Sequence, residues 1–235
     1  MSSLISSLAV QKYELILPTT KKRIEYRPFI VKEEKSLLLA SESKDEGDMY
    51  RAMKEVVSAC TFRTVDIENL PMVDMEYLFL KIRSRSVGET ASPGIKCPKC
   101  NKHTEIKVDI SKIEPVFSEK HKTKFNITDD VIVEMRYPRF MDFQKLNKSD
   151  SDLDRAINLI VMCLSKVHTK EETFIASELE HSDIEDFVSN FNQEQFSKLI
   201  EFMDTMPKLS TKIDFNCSHC SHKQEYTIQG MQDFF

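Results

Sequence analysis

Glycine is scarce in this 235-residue chain: four occur, Gly47, Gly88, Gly94 and Gly230, where ordinary usage of roughly 7% would supply about sixteen. None stands in the clustered spacing that a Walker phosphate loop, a GxGxxG dinucleotide turn or a GxSxG nucleophile elbow requires, so those chemistries are excluded. Long apolar runs are missing too. The longest, residues 157–164, includes Asn158 and falls far short of the ~20 residues of a spanning helix, so no membrane segment is expected. Met1–Val10 has no basic leading region and no A-x-A pattern and runs straight into Gln11-Lys12, so it does not read as a signal peptide. Charge of one sign is not in excess either: 33 Lys+Arg face 38 Asp+Glu, a net −5. That balance is too mixed for disorder and too acidic for coating nucleic acid. What remains is a soluble chain of a reducing compartment, with room for one sizeable domain or two small ones.

Cysteine carries the strongest signal. Four of the six form two pairs, Cys97-Pro98-Lys99-Cys100 and Cys217-Ser218-His219-Cys220, with 116 residues between them. The flanks match: Ile95 before and Glu105, Ile106, Val108 after the first, Phe215 before and Glu225, Tyr226, Ile228 after the second, each a tight turn followed by an alternating strand. A CxxC turn points two thiolates at one ion, and a closed tetrahedral site needs two such turns. Cys97, Cys100, Cys217 and Cys220 are therefore expected to form one structural zinc site clamping distant parts of the chain. The alternative is four reduced thiols packed as small hydrophobes.

The matching knuckles prompt a search for a longer repeat. Ile24 to Phe29 resembles Val133 to Phe140 at an offset of 109 to 111, and each follows a strand-turn signal, Leu15 to Thr19 and Phe125 to Asp129. Arg51-Ala52-Met53 with Cys60 corresponds to Arg155-Ala156-Ile157 with Cys163, and the stripe Met75, Leu78, Phe79, Ile82 to Phe196, Leu199, Ile200, Met203. The second copy carries an insertion, read as an amphipathic helix capped by Ser182-x-x-Glu185. The expected fold is α+β: two pseudo-repeats, 1–110 and 111–235, each a β-hairpin, helices and a zinc knuckle, joined in one compact unit by the four-cysteine ribbon. Helices are expected after Pro28, from Asp48, from Pro71 to about Gly88, from Asp150-Ser151, and from Asn192-x-x-Gln195 to Pro207. Ser86–Gly94 reads as a connector and Ser111–Lys124 as the link between copies.

No catalytic constellation accompanies these elements. His103-Thr104-Glu105 has the H-x-E of zinc deaminases, but it trails Cys100 instead of preceding a P-C-x-x-C pair, and four cysteines leave no open metal position. His219 and His222 are alternative ligands, though with four thiolates at hand they read as solvent-facing. Cys60 and Cys163 lie on apolar helical faces and read as core thiols. Carboxylates such as Glu33-Glu34 and Asp183/Glu185/Asp186 sit at helix starts, where they complement the dipole. Lys96, Lys99, Lys102 and Lys107 make the first knuckle basic. The second, with Asp214 and Glu225, does not extend a basic groove, so nucleic acid is the lesser reading.

Tyr26-Arg27-Pro28-Phe29-x-Val31-Lys32-Glu33-Glu34-Lys35, then Glu76-Tyr77-Leu78-Phe79-x-Lys81-x-Arg83-x-Arg85-Ser86-Val87-Gly88-Glu89 and a CxxC, resemble the baseplate hub assembly proteins of T-even-type bacteriophages. The resemblance implies a non-enzymatic role in building the central hub of a contractile-tail baseplate inside the infected cell, as an assembly factor or chaperone or as a retained hub component. It implies other hub proteins as partners, with self-association as a further reading, and the host cytoplasm or the virion baseplate as location. Met231-Gln232-Asp233-Phe234-Phe235 is a candidate contact, its two phenylalanines either a partner anchor or core.

Overall fold

The computed structural model describes residues 10–43, 45–146 and 151–229. The terminal Phe234 and Phe235, and Asp150 at the expected helix start, lie outside the described residues. Seven α-helices occur among those described: α1 (Val31–Ser43), α2 (Glu46–Cys60), α3 (Met72–Ser86), α4 (Phe140–Lys145), α5 (Asp152–Cys163), α6 (His181–Ser189) and α7 (Gln193–Thr205). The strands are β1 (Tyr13–Ile16), β2 (Arg23–Tyr26), β3 (Thr90–Ala91), β4 (Gly94–Lys96), β5 (His103–Glu105), β6 (Val108–Asp109) and β7 (Pro115–Val116). They continue with β8 (Lys124–Asn126), β9 (Ile132–Met135), β10 (Leu164–His168), β11 (Thr173–Ile175), β12 (Lys208–Asn216) and β13 (Lys223–Gln229). The mixed α+β class expected from the sequence is what the chain adopts.

Two compact units result, one running to Val116 and resuming at Lys208, the other spanning Phe117–Pro207. This division differs from the repeat boundary read at 110/111, for a physical reason. β12 pairs with β7, Lys208 opposite Val116, and Leu209 and Ile228 bury themselves among Val73, Leu80, Ala91, Val108, Ile110 and Ile113. Apolar burial thus returns the last arm of the chain to the first unit.

In the first unit β1 and β2 form an antiparallel hairpin with Tyr13 opposite Tyr26, their rings stacked at 5.6 Å. Its turn would leave backbone donors open. The fully buried Asp74 of α3 accepts from the Thr19 and Thr20 N–H groups at 2.8 and 3.1 Å and from Thr20 Oγ1 at 2.9 Å. After the hairpin, Arg27 Nη1 and Nη2 donate to Glu33 at 2.8 and 2.6 Å, and Glu33 accepts from Ile30 N–H at the start of α1. Arg27 N–H donates to the carbonyl of Cys60. α2 begins two residues earlier than expected, because Asp45 rather than Asp48 caps it by accepting from Gly47 and Asp48 N–H. α3 starts after Pro71 and stops before Gly88, whose φ of +127° a side chain would strain. Its stripe Met75, Leu78, Phe79 and Ile82 is buried as expected.

The second unit carries a four-stranded antiparallel sheet in the order β11-β10-β9-β8. After its hairpin, Arg136 Nη1 and Nη2 donate to Asp142 at 2.7 and 3.3 Å, Asp142 accepts from Arg139 N–H, and Arg136 N–H donates to the carbonyl of Cys163. From α7, Gln195 Nε2 donates to Ile127 O in the β8–β9 turn and Lys198 Nζ to Asn126 O. The core gathers Phe125, Val133, Met135, Ile160, Val161, Leu199 and Phe202. Two expectations shift. α7 buries Leu199 as expected and packs Phe196 and Met203 on the core, but its second buried residue is Phe202 and not Ile200, which is 41% exposed. α6 starts at His181 with Glu180 as its cap and no side-chain capping bond, so Ser182 lies inside the first turn. The inserted stretch also includes the β10–β11 hairpin, an element beyond the single helix expected there.

Candidate metal centre

Both cysteine pairs sit on tight hairpin turns of the same geometry. In the first, Cys97 N–H donates to Lys102 O at 2.9 Å and Asn101 N–H to Cys97 O at 2.8 Å; in the second, Cys217 N–H donates to His222 O at 2.9 Å and Ser221 N–H to Cys217 O at 2.9 Å. Asn101 and Ser221 take the same left-handed conformation, φ 59° and 55°. β4 and β5 extend the first turn, with Lys96 opposite His103. β12 and β13 extend the second, with Asn216 opposite Lys223. Both hairpins belong to the first unit, whose core holds the base of β12 and β13.

This brings Cys97, Cys100, Cys217 and Cys220 together, all four Sγ atoms within 4.8 Å of one another. Cys97 Sγ lies 3.8 Å from Cys220 Sγ, and Cys100 Sγ 3.6 Å from Cys217 Sγ. With Zn–S bonds of about 2.3 Å, a regular tetrahedron has S···S edges of about 3.8 Å, so the donor set is compatible with a metal ion held by four thiolates. Cys97 and Cys217 are buried, while Cys100 and Cys220 are partly exposed. Among the described residues, the metal-competent cluster contains no histidine or carboxylate.

The surroundings favour thiolate at Cys217. His219 N–H donates to Cys217 Sγ at 3.4 Å and Thr104 Oγ1 to the same sulfur at 3.6 Å. Led by the His219 N–H, these donors hold the Cys217 thiol down at about 5. At Cys220 the His222 N–H acts in the same direction, but burial and the three neighbouring thiols outweigh it and push the group up to about 12 without metal. Four sulfurs this close cannot all ionise without a cation to hold them.

Thr104 is the residue that sequence reasoning missed. It is buried on β5, and its Oγ1 lies 3.2 Å from Ser218 Oγ and accepts from Ser218 N–H at 3.2 Å, tying one knuckle to the other. Strand alternation puts His103 and Glu105 on the opposite, exposed side. The H-x-E pattern therefore presents its middle residue, not its outer two, to the cysteines. His219 points its Nε2 at His103 O, 3.2 Å away, and not into the cluster. Cys60 and Cys163 lie apart from it, fully buried, and burial pushes each thiol up to about 12.

Residues 10–235 match the family model for the T4 bacteriophage base plate protein. The chain belongs to the T4 base plate protein family. Within reach of that family, Baseplate hub assembly protein gp26 of Enterobacteria phage T4 is 22% identical over 226 residues, which cover 95% of this chain and 98% of that protein. No solved structure matches the chain. The base plate family match thus takes in both knuckles and both units. Among the described residues no helix is long and apolar enough to cross a membrane.

Proposed function

We propose that this protein acts in assembly of the baseplate central hub of a phage tail, as a non-enzymatic assembly factor that binds other hub proteins in the host cytoplasm. The observation that carries the reading is the end-to-end similarity to a hub assembly protein, 95% of one chain on 98% of the other. A shared fragment would leave the role open, whereas similarity over the whole length speaks for a shared role. Zinc is the ion proposed for Cys97, Cys100, Cys217 and Cys220, as a structural staple. Four thiolates around one ion leave no open position for a reacting water, which supports a structural role over a catalytic one.

The chain is further proposed to be an internal duplication, copies 1–110 and 111–235. Arg27–Glu33 and Arg136–Asp142 are the same bidentate pair at an offset of 109, each beside the carbonyl of a buried cysteine. Asp74 and Gln195, 121 residues apart, each bind their own hairpin turn. The test of function is quantitative mass spectrometry of the chain in purified particles against infected-cell lysate. Abundance in lysate with absence from particles is the expected result. Fixed stoichiometric copies in particles would replace the assembly-factor reading with that of a structural hub component.

A further inference from the structure

The two knuckles differ in charge when read separately, but the fold presents them as one surface. Residues 96–103 and 216–223 contain Lys96, Lys99, Lys102 and Lys223, three histidines and no carboxylate, in a chain of net charge −5. The cysteine cluster and the His219–His103 hydrogen bond hold these segments against each other. All four lysines are exposed. Some exposed lysines elsewhere are neutralised, as in Lys12–Glu25, Lys112–Asp109, Lys124–Glu134 and Lys212–Glu225, and others, such as Lys32 and Lys35 of α1, are not; what sets the tip apart is four lysines gathered in two adjoining segments without a carboxylate. At the ribbon tip none of the four forms an ion pair among the described residues. The nearest acidic positions along the strands lie two residues back from the tip: Glu105, opposite Gly94, and Asp214, opposite Glu225, which Lys212 already holds.

We infer that the ribbon tip is a docking surface for an acidic patch of a protein partner, recognised by Lys96, Lys99, Lys102 and Lys223. Unpaired lysines on a rigid knob keep their charge available, and in an otherwise acidic molecule they orient an approaching anionic surface onto this one end. Protein is favoured over nucleic acid by what the tip lacks. It carries no arginine to form bidentate phosphate contacts, and no phenylalanine, tyrosine or tryptophan to stack a base, its histidines being the only rings. The inference deepens the hub-assembly reading by naming the chemistry of its partner.

The test uses the full-length, metal-loaded protein and two defined probes, poly-L-glutamate and a twenty-residue oligo-dT strand, at low ionic strength where surface charge is least screened. Wild-type protein is expected to bind poly-L-glutamate more tightly than oligo-dT. Lys99→Glu with Lys102→Glu should weaken poly-L-glutamate binding about tenfold or more with metal content unchanged. Lys32→Glu with Lys35→Glu, the same charge change on exposed positions of α1, should alter it less than about twofold. Equal loss in both pairs would reduce the effect to net charge and overturn the proposal. Tighter oligo-dT binding that depends on Lys99 and Lys102 would make the tip a nucleic-acid surface. Loss of metal from the milder Lys99→Gln/Lys102→Gln protein would assign the lysines to the metal centre instead. None of these measurements depends on phage assembly, so their failure and failure of the hub-assembly reading are separately visible.

Discussion

Replacing Cys217 by serine removes one of four sulfurs and, with it, the acceptor to which His219 N–H and Thr104 Oγ1 donate. The consequence can be worked from what else holds the arm formed by β12 and β13. Its base is anchored by Leu209 and Ile228, 1% and 0% exposed, which at roughly 1.5–3 kcal/mol for each buried side chain contribute about 3–6 kcal/mol. Beyond them every position of the two strands is exposed or half-buried, and their hairpin bonds compete with about 1–2 kcal/mol of backbone entropy per residue. Structural zinc contributes on the order of 10–16 kcal/mol in small peptide sites, far more than the packing of this outer segment. Cys217→Ser should therefore lower zinc from about one per chain to near zero. It should open the arm outward from Leu209 while leaving residues 117–207 folded. Metal analysis reads the first effect, and limited trypsin digestion the second, through new cleavage at Lys212 and Lys223. A wild-type protein with no bound metal, or a metal-stripped protein as resistant at those two lysines as the loaded one, would refute the reasoning.

Other consequences are accessible to simple measurements. Asp74→Ala should cost about 3 kcal/mol in denaturant unfolding, because it leaves the Thr19 and Thr20 N–H groups without their buried acceptor; a loss under about 1 kcal/mol would show that water replaces it. Burial raises the Glu33 carboxyl, but the Arg27 guanidinium and the Ile30 N–H outweigh that and hold it below its usual value. A depressed carboxylate stabilises the fold above its unfolded value and loses that contribution as pH falls through the folded one. Glu33→Gln should thus be less stable than wild type at neutral pH, with the gap closing in acid; a pH-independent gap would contradict the pairing. Finally, iodoacetamide at pH 8 should leave Cys60 and Cys163 unmodified in the native protein, since both thiols are buried and pushed up to about 12. Rapid labelling of either would place it at the surface.

The knuckles were legible because a CxxC turn imposes its own backbone path, and each pair is bracketed by period-two alternation that fixes the hairpin register. The β1–β2 and β8–β9 hairpins were legible for the same reason. Thr104 was not, because a buried threonine beside a sulfur has no signature beyond its place in the alternation, whereas the flanking histidine and glutamate match a known metal-site pattern. The β10–β11 hairpin escaped because a register shift between Leu164 and Lys166 breaks the alternation that announces a strand. Phe202 was missed since several apolar stripes fit α7, and only its packing beside Phe125 and Tyr137 chooses among them. The combined charge of the ribbon tip could not be read from either knuckle alone. It arises only when the cysteines bring Lys223 to the same end as Lys96, Lys99 and Lys102.

The separation of the two knuckles along the chain has a consequence in time. The first pair of cysteines leaves the ribosome as only half of the four-cysteine cluster, and its partners follow after the whole of the second unit. At about 5–20 residues per second, that interval is on the order of 6–25 s. During it Val73, Leu80 and Ile110 lack Leu209 and Ile228, which complete their core. The second unit, contiguous from Phe117 to Pro207, has every residue it needs well before the first. Assembly of the four-cysteine cluster is thus a late event that only a nearly complete chain can perform, and a truncated product would carry an unfinished core and two unpaired thiols of the first knuckle.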